Sequence, residues 1–293
     1  MAITISGPSR PGSPPPVGRA TRSLAAIREL AGARELTANL VRRDLKVRHR
    51  GTFLGMLWSL TTPLLVVGLY YFVFKLLFKT SPATDVARPD HHAIPFAVYF
   101  YAGLTLWNLF ASSILTSATS VTSSGYLLNK VYFPRAILPL STVLSSLVTF
   151  GFEVCVLLVL TLAVVGLPSL QLLWVPVIVL IVVALSFGLA MLVSAVNVHL
   201  RDLAHFLAVL VQLWFWGTPI IYSMGFVAKR ESLLTLLRLN PLTGVVVGFR
   251  NVVVLNHAPD IKLLAYDAAC AVVALAVGAS VFGRFQRTFS EIV

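Results

Sequence analysis

Long apolar runs dominate the pattern of hydrophobic and polar positions along this chain and predict membrane-spanning helices. A helix needs about 20 mainly apolar residues to cross roughly 30 Å of hydrocarbon. Runs of that length lie near residues 53–78, 96–119, 136–165, 171–197, 204–223 and 262–283. The pattern therefore predicts an all-α membrane protein whose six transmembrane helices form one domain over residues 51–283, followed by a tail at 284–293.

Two shorter, semi-apolar pieces separate the fifth run from the sixth. They cover residues 233–239 and 242–255, with Asn240 and Pro241 between them. Proline ends a helix that precedes it and suits the first turn of a helix that follows. Because neither piece is long enough to span, we expect two short re-entrant helices on the outer side, which are tolerated at membrane depth only against protein or water.

An amphipathic segment, residues 27–50, precedes the first run. Helical spacing places Leu36, Leu40 and Val47 on one face, with other apolar residues near the opposite face. We therefore expect an interface helix that either lies on lipid or is covered by protein on both faces. Residues 1–26 are rich in Pro and contain few large apolar residues, which predicts a disordered tail.

Composition supports insertion into a membrane and suggests the orientation. The chain is 57% hydrophobic and only 12% charged, with a mean hydropathy of +0.87, whereas soluble proteins carry roughly a quarter charged residues. Ten of the 23 Lys and Arg residues precede Gly51, and with an inside N-terminus 15 of the 23 fall on cytoplasmic segments. The positive-inside rule therefore favours two cytoplasmic tails in the plasma (inner) membrane, and the net charge of +12 indicates a membrane surface rather than nucleic acid.

Patterns typical of catalytic and metal sites are missing from the sequence. No GxxxxGKS or GxxxxGKT phosphate-binding loop occurs, so ATP-driven work needs a partner chain. The six histidines are scattered without a DxD or HxxxxD pattern, and Cys155 and Cys270 lie in apolar runs without a CxxC motif. Glu153 and Asp267 are carboxylates within predicted spans, where they serve a function or simply bond to a neighbouring helix or water. We expect no cofactor, no metal and no enzyme activity in this chain itself.

Several specific strings point to a family. RRDLKVRHRGTFLGMLWSLTTPLL begins at Arg42, GYLLNKVYFPRAILPL at Gly125, GTPIIY at Gly217 and NPLTGVVVGFR at Asn240. Their order and spacing resemble the ABC-2 permease family that exports polyprenyl-linked polysaccharides, over roughly residues 35–293. Members of that family move O-antigen, teichoic acid and galactan precursors, and the chain as a whole looks most like the galactan exporter permeases of mycobacteria.

The resemblance implies a transport subunit with defined partners. It implies a homodimer of six-span subunits bound to two copies of a cytoplasmic ATPase, which carries the ATP and Mg, with a polysaccharide channel between the permeases. The implied activity is export of a polyprenyl-diphosphate-linked polysaccharide, such as the galactan precursor of the cell wall, to the outer side of the membrane. The alternatives are export of a drug or a lipid on the same scaffold, or a polyprenyl-phosphate-dependent membrane transferase.

Two contact regions on the cytoplasmic side follow from the resemblance. The apolar loop after the second span corresponds to the coupling helix that receives the ATPase, although a lateral interfacial helix fits the same residues. Its predicted contacts are Tyr126, Leu127, Leu128, Lys130, Tyr132, Phe133 and Arg135. The basic helix before Gly51 is expected to meet the pyrophosphate headgroup of the lipid, or to act only as a topology determinant. Its basic residues are Arg42, Arg43, Lys46, Arg48 and Arg50.

Aromatic residues crowd the second and fifth predicted spans. Sugar rings stack through their C–H faces on flat aromatic side chains, so residues of this kind are candidates for channel lining. We expect that role for Tyr99, Trp107 and Trp216. Membrane interfaces and helix packing also use Trp and Tyr, which leaves those roles open.

Overall fold

The computed structural model describes the chain in several stretches, and all regular secondary structure within them is helical. The described residues are 32–48, scattered positions within 61–77, 95–126, 133–164, 166–167, 169–227, 230–286 and 289. The predicted disordered tail at 1–26 and most of the predicted first span at 53–78 lie outside the described residues.

The longer helices are labelled in chain order. They are α1 (Arg34–Arg48), α2 (Phe96–Ala118), α3 (Ile137–Val164), α4 (Val175–His199), α5 (Leu203–Trp216), α6 (Glu231–Leu239), α7 (Thr243–Arg250) and α8 (Ile261–Phe285). A 3-10 turn, Leu170–Trp174, leads into α4, and a π-helical turn, Asn251–Leu255, extends α7. Shorter pieces are Phe72–Leu77, Thr122–Ser124 and Met224–Val227.

Within the described residues, four helices are long and apolar enough to cross a membrane, namely α2, α3, α4 with its leading turn, and α8. α6 and the extended α7 pass the same test only as a pair, and the pair is bent by 94°. This bend confirms the helix break predicted at Asn240 and Pro241. The described part of the chain therefore holds four candidate spans, or five if the bent pair counts as one.

The fifth predicted span is shorter in the structure than the apolar run that suggested it. α5 ends at Trp216 after 14 residues and is therefore about 21 Å long, less than the roughly 30 Å of hydrocarbon. Proline lacks an N–H group and disfavours a helical conformation in the residue before it, so Pro219 prevents the helix from filling residues 204–223. The prediction of six spans is thus confirmed only in part.

α2 lies at the centre of the bundle and contacts α3, α4 and α7. Its side chains Phe100, Tyr101 and Phe110 are completely buried. α4 packs most closely on α8, because a Cβ atom at Gly188 or Gly278 would collide with the backbone of the opposite helix. Small residues of this kind allow membrane helices to approach each other closely.

An apolar cluster lies where α1 packs on the bundle, and we call this side the α1 end. Its buried members are Leu40, Val121, Phe133, Ile137, Leu138, Met191, Ala195, Val198, Phe282 and Phe289. Leu40 of α1 is 4% exposed, whereas Val47, predicted on the same face, is 66% exposed. Protein therefore covers only part of the predicted apolar face of α1. The bent pair lies at the opposite end, against the first turns of α2 and α8.

Candidate functional site

A polar cleft of about 550 Å³ opens at the α1 end, between α1, the last turns of α2 and the first turns of α3. We call it the hydroxyl cleft. Its lining residues are Arg43, Asp44, Val47, Thr116, Thr119, Ser120, Ser123, Leu138, Ser141, Thr142 and Ser145. The hydroxyl residues recur three or four positions apart along the chain, which is the spacing that places side chains on one face of a helix. Two such faces form the wall of the cleft.

Hydroxyl groups also hold α2 and α3 together beside this cleft. The Ser117 and Thr142 hydroxyl oxygens lie 2.5 Å apart, and both side chains are buried. Short polar side chains let the two helices approach closely while satisfying each other's hydrogen bonds. The cleft is therefore built on this helix pair, together with the turn and the 3-10 helix that follow α2.

Apolar and polar contacts attach α1 to this wall, and Leu36 of α1 packs against the apolar cluster beside Leu40. Leu40 inserts into the apolar cluster of the α1 end. Asp44 lies one turn after Leu40 in α1, and its Oδ2 accepts a hydrogen bond from the Ser141 hydroxyl over 3.3 Å. The other oxygen of Asp44 accepts from Arg43 Nη2 over 3.1 Å. These contacts fix α1 so that its basic side chains lie along the edge of the cleft.

A second cleft, of about 710 Å³, adjoins the first, and the described residues that line it all belong to α1. We call it the basic cleft. Its residues are Asn39, Arg42, Arg43, Lys46 and Val47. It brings together three of the five basic residues predicted to meet a phosphate headgroup. Arg50 and the side chain of Arg48 lie outside the described residues. Arg and Lys at adjacent helical positions suit a phosphate, which Arg can bind through two parallel hydrogen bonds.

The predicted ATPase-contact loop is described only at its two ends. Tyr126 is 72% exposed. Phe133 is buried in the apolar cluster of the α1 end, and the Arg135 guanidinium donates to the Gln286 carbonyl oxygen. Leu127, Leu128, Lys130 and Tyr132 lie outside the described residues. The loop is therefore exposed at Tyr126, after α2. Before α3 it is attached to the C-terminal end of α8 through Arg135.

The three predicted channel aromatics have different surroundings. Tyr99 and Trp107 are both buried in the helix packing. The Trp107 ring packs against Phe110 and Phe215, with centroid distances of 5.7 and 5.5 Å. Trp216, at the end of α5, is 56% exposed. Of the three, Trp216 presents its ring on the surface of the described chain.

Arg250 is a central residue that sequence reasoning did not single out. It is completely buried, and its guanidinium donates to the carbonyl oxygens of Pro219, over 2.7 Å, and Ile220. The guanidinium carbon lies 4.1 Å from the centre of the Tyr99 ring, and the missing side chain of Gly103 leaves room for it. The sequence does hold a signal for Arg250, namely a single charged residue in an apolar helical segment. A charge in such a segment requires polar partners if it is buried.

Asn240 links the bent pair to the end of α5. Its side-chain oxygen accepts from the Trp214 indole over 2.9 Å, and its nitrogen donates to the Gly217 carbonyl and the Thr218 hydroxyl, each over 2.9 Å. These bonds satisfy polar groups that are left unpaired where α5 stops. The early end of α5 is therefore part of the fold at this end of the bundle.

The two carboxylates predicted within spans are each bonded to a neighbouring helix. Glu153 of α3 accepts from the Asn108 amide of α2, at 3.3 and 3.4 Å. Asp267 of α8 accepts from the Val245 backbone N–H in the first turn of α7, at 2.7 Å. A carboxylate at a helix N-terminus stabilises that helix. Within the described residues, His, Cys, Asp and Glu side chains form no group of three that could hold a metal ion.

Comparison with known proteins gives consistent matches over most of the chain. The family model described as ABC-2 type transporter matches residues 35–254. The O-antigen export system permease protein RfbA of Myxococcus xanthus is 33% identical over 267 residues, covering 91% of this chain and 98% of that protein. Two O-antigen export system permease proteins RfbA of Klebsiella pneumoniae are 30% and 28% identical over 260 residues, each covering 88% of this chain and 95% of the relative.

Proposed function

Because the chain belongs to the ABC-2 type transporter family, we propose that it exports a polyprenyl-diphosphate-linked polysaccharide from the cytoplasmic side of the membrane. It is a multi-pass membrane protein and the permease subunit of an ABC exporter, so ATP hydrolysis resides in a separate partner. The similarity to O-antigen export permeases at 28–33% identity supports a polysaccharide cargo.

The observation that carries the proposal is the basic cleft on α1. Arg42, Arg43 and Lys46 present three positive charges within about one helical turn at the end of the bundle. A lipid diphosphate presents several negative oxygens close to the membrane surface, and charge-assisted hydrogen bonds to such oxygens are roughly twice as strong as neutral ones. We therefore propose that this cleft binds the diphosphate headgroup. Contacts from Arg48 and Arg50 stay predictions.

The ATPase contact and the stoichiometry are further parts of the proposal. The loop that begins at the exposed Tyr126 is proposed to receive a cytoplasmic ATPase, with a homodimer of permeases binding two ATPase copies. This places the α1 end in the cytoplasm, together with both termini, in agreement with the excess of Lys and Arg before Gly51. Arg135 would couple the loop to α8 through its bond to Gln286.

Trp216 is the aromatic residue that we propose for the path of the glycan. Its ring is largely exposed and stands at the end of α5 opposite the α1 end. An exposed indole offers a flat apolar face to the C–H groups of a sugar. Tyr99 and Trp107, by contrast, are buried, with Arg250 over the Tyr99 ring and Phe110 and Phe215 against the Trp107 ring, which supports the packing alternative for them.

The identity of the glycan is the finer question. The similarity to O-antigen permeases favours an O-antigen-like cargo, and the galactan precursor of a cell wall stays a prediction. A drug or a lipid could be exported on the same scaffold, but such a cargo carries no diphosphate. Measuring which compounds stimulate ATP hydrolysis separates these possibilities, because each possible cargo should stimulate the ATPase where the others do not.

The proposal is tested with the purified permease and its ATPase in lipid nanodiscs. We expect lipid-linked O-antigen or galactan precursors to stimulate ATP hydrolysis. Substituting Arg42→Ala together with Lys46→Ala should raise the half-maximal concentration of the activating glycolipid at least tenfold, since one charged hydrogen bond contributes about 1.5–3 kcal/mol.

Arg34→Ala is the matched control, because Arg34 is an exposed cation of the same helix that lines neither cleft. It should leave stimulation unchanged. Stimulation by drugs or simple lipids alone would contradict the cargo assignment. An equal response of the double variant and wild type would contradict the role of the basic cleft.

A further inference from the structure

The hydroxyl cleft differs in chemistry from the basic cleft beside it, although the two share Arg43 and Val47. We propose that the hydroxyl cleft is a sugar-binding subsite, which accepts hydrogen bonds from the sugar next to the diphosphate of the cargo. This inference rests on the proposed export of a lipid-linked glycan. It adds a recognition site that reads the glycan rather than the lipid headgroup.

Four hydroxyl groups that line the cleft donate their protons to backbone carbonyl oxygens three or four residues earlier in the chain. The bonds run from Thr116 to Ser112 O (2.5 Å), Ser120 to Ser117 O (2.8 Å), Thr142 to Pro139 O (2.8 Å) and Ser145 to Thr142 O (2.9 Å). A hydroxyl has one proton but two lone pairs. Towards a ligand in the cleft these four hydroxyls therefore act as acceptors and not as donors.

Asp44 strengthens this preference. Its carboxylate lines the cleft and is itself an acceptor, bonded to Ser141 and Arg43. A phosphate in the same place would meet the negative carboxylate of Asp44, which repels it at short range, while the charge of Arg43 in this cleft is already paired with Asp44. Sugar hydroxyls can donate to all of these groups. The arrangement thus favours a neutral polyhydroxyl ligand over an anion.

The position of the two clefts matches the order of groups in a lipid-linked glycan. In such a molecule the first sugar is bonded directly to the diphosphate, so the two groups must occupy adjacent sites. Val47 lies at the shared border and is 66% exposed, which provides an apolar face for the C–H side of a sugar ring. The volume of about 550 Å³ falls within the range of about 300–1,000 Å³ found for small-molecule sites.

The walls of the cleft are preorganised. Thr116 is held on α2 and Ser145 on α3, each by its hydrogen bond to a carbonyl oxygen about one turn earlier. Groups fixed on packed helices lose little further freedom when a ligand binds. Hydrogen bonds made to them therefore contribute to discrimination between glycosylated and bare lipid diphosphates.

The test compares two probes on the permease–ATPase complex in nanodiscs: a polyprenyl diphosphate and the same lipid carrying one hexose. We expect the wild-type complex to bind the hexosylated probe about tenfold more tightly. Ser120→Ala combined with Ser145→Ala should reduce that ratio about fivefold and leave the affinity for the bare diphosphate unchanged, since one hydrogen bond contributes about 0.5–1.5 kcal/mol, or roughly 2- to 12-fold.

Two controls separate this inference from the proposed function. Ser113→Ala removes a buried hydroxyl that bonds to Leu109 O in the same way but does not line the cleft, so the ratio should stay at the wild-type value. Arg42→Ala with Lys46→Ala should lower the affinity for both probes by the same factor. Equal binding of the two probes to wild type, or parallel loss of both in the serine variant, would overturn the sugar subsite alone. Failure of wild type to bind either probe would overturn the proposed function as well.

Discussion

At the scale of single residues, the charge of Arg250 is the feature that most constrains the fold. Its guanidinium is buried among neutral groups, with two backbone carbonyls as acceptors and the Tyr99 ring beneath it. An aromatic face attracts a cation, and the attraction grows when water is excluded. Arg250 therefore joins α7, the turn after α5 and α2 through one side chain.

Removing the guanidinium should destabilise the protein. In Arg250→Met the carbonyl oxygens of Pro219 and Ile220 lose their donor, and unpaired buried polar groups cost about 1–3 kcal/mol each. We expect a loss of about 2–4 kcal/mol in the free energy of unfolding, measured by SDS titration in mixed micelles. Arg250→Lys keeps the positive charge but not the planar guanidinium, and its free energy of unfolding should fall by less.

Arg238→Met serves as the comparison, because Arg238 is exposed on α6. Surface substitutions of this type change stability by less than about 0.5 kcal/mol. If Arg250→Met unfolded at the same SDS fraction as Arg238→Met, the joining role of the buried guanidinium would be wrong.

At the scale of helices, much of the architecture could be predicted from the sequence. Apolar length predicts α2, α3, α4 and α8, and the Asn240–Pro241 pair predicts the bend of 94°. The early end of α5 was missed because hydropathy does not register Pro219, although the residue was visible in the sequence. Local sequence patterns describe elements and not the contacts between them.

The candidate site was predictable to a different degree in its two halves. The cations of the basic cleft stand out, because Arg42, Arg43 and Lys46 belong to a dense group of basic residues directly before the first long apolar run. The hydroxyl cleft does not, since Ser and Thr in membrane helices are equally typical of close packing. Its existence depends on the register between α2 and α3, which the Ser117–Thr142 contact fixes.

The contact between α4 and α8 supports a prediction at this scale. Gly278→Ala places a Cβ against the backbone of Gly188, which neither helix can avoid without moving. Overpacking of this kind costs about 1–3 kcal/mol, and we expect a loss of about 2 kcal/mol in the free energy of unfolding.

Gly283→Ala is a control on the same helix, where the added Cβ meets nothing within 4 Å. It should be neutral or stabilising by up to about 1 kcal/mol, because Ala favours a helix over Gly. Unchanged stability of Gly278→Ala would contradict the close approach of α4 and α8.

At the scale of the whole molecule, two ends with different chemistry define a direction. The α1 end holds the basic cleft, the hydroxyl cleft and the proposed ATPase loop, whereas the opposite end holds the bent pair, Arg250 and Trp216. A permease that collects a charged glycolipid in the cytoplasm and releases it outside needs such an asymmetry. The account therefore assigns the α1 end to the cytoplasm.

Thiol labelling of intact cells checks this orientation. In a background without Cys155 and Cys270, His257→Cys places an exposed thiol at the end of the bent pair, and Arg34→Cys places one at the α1 end. A membrane-impermeant maleimide should label the first variant in intact cells and the second only after permeabilisation. The opposite order of labelling would reverse the proposed orientation.

The central claim is that this chain, with an ATPase, moves a lipid-linked polysaccharide captured at α1. The most direct measurement reconstitutes the complex in liposomes and follows a fluorescent lipid-linked glycan, quenched from outside, after ATP is added. The account predicts ATP-dependent transfer of the glycan between leaflets, reduced about tenfold at limiting substrate by Arg42→Ala with Lys46→Ala and unaffected by Arg34→Ala. Transfer that proceeds without ATP, or that the double variant performs as well as wild type, would contradict it.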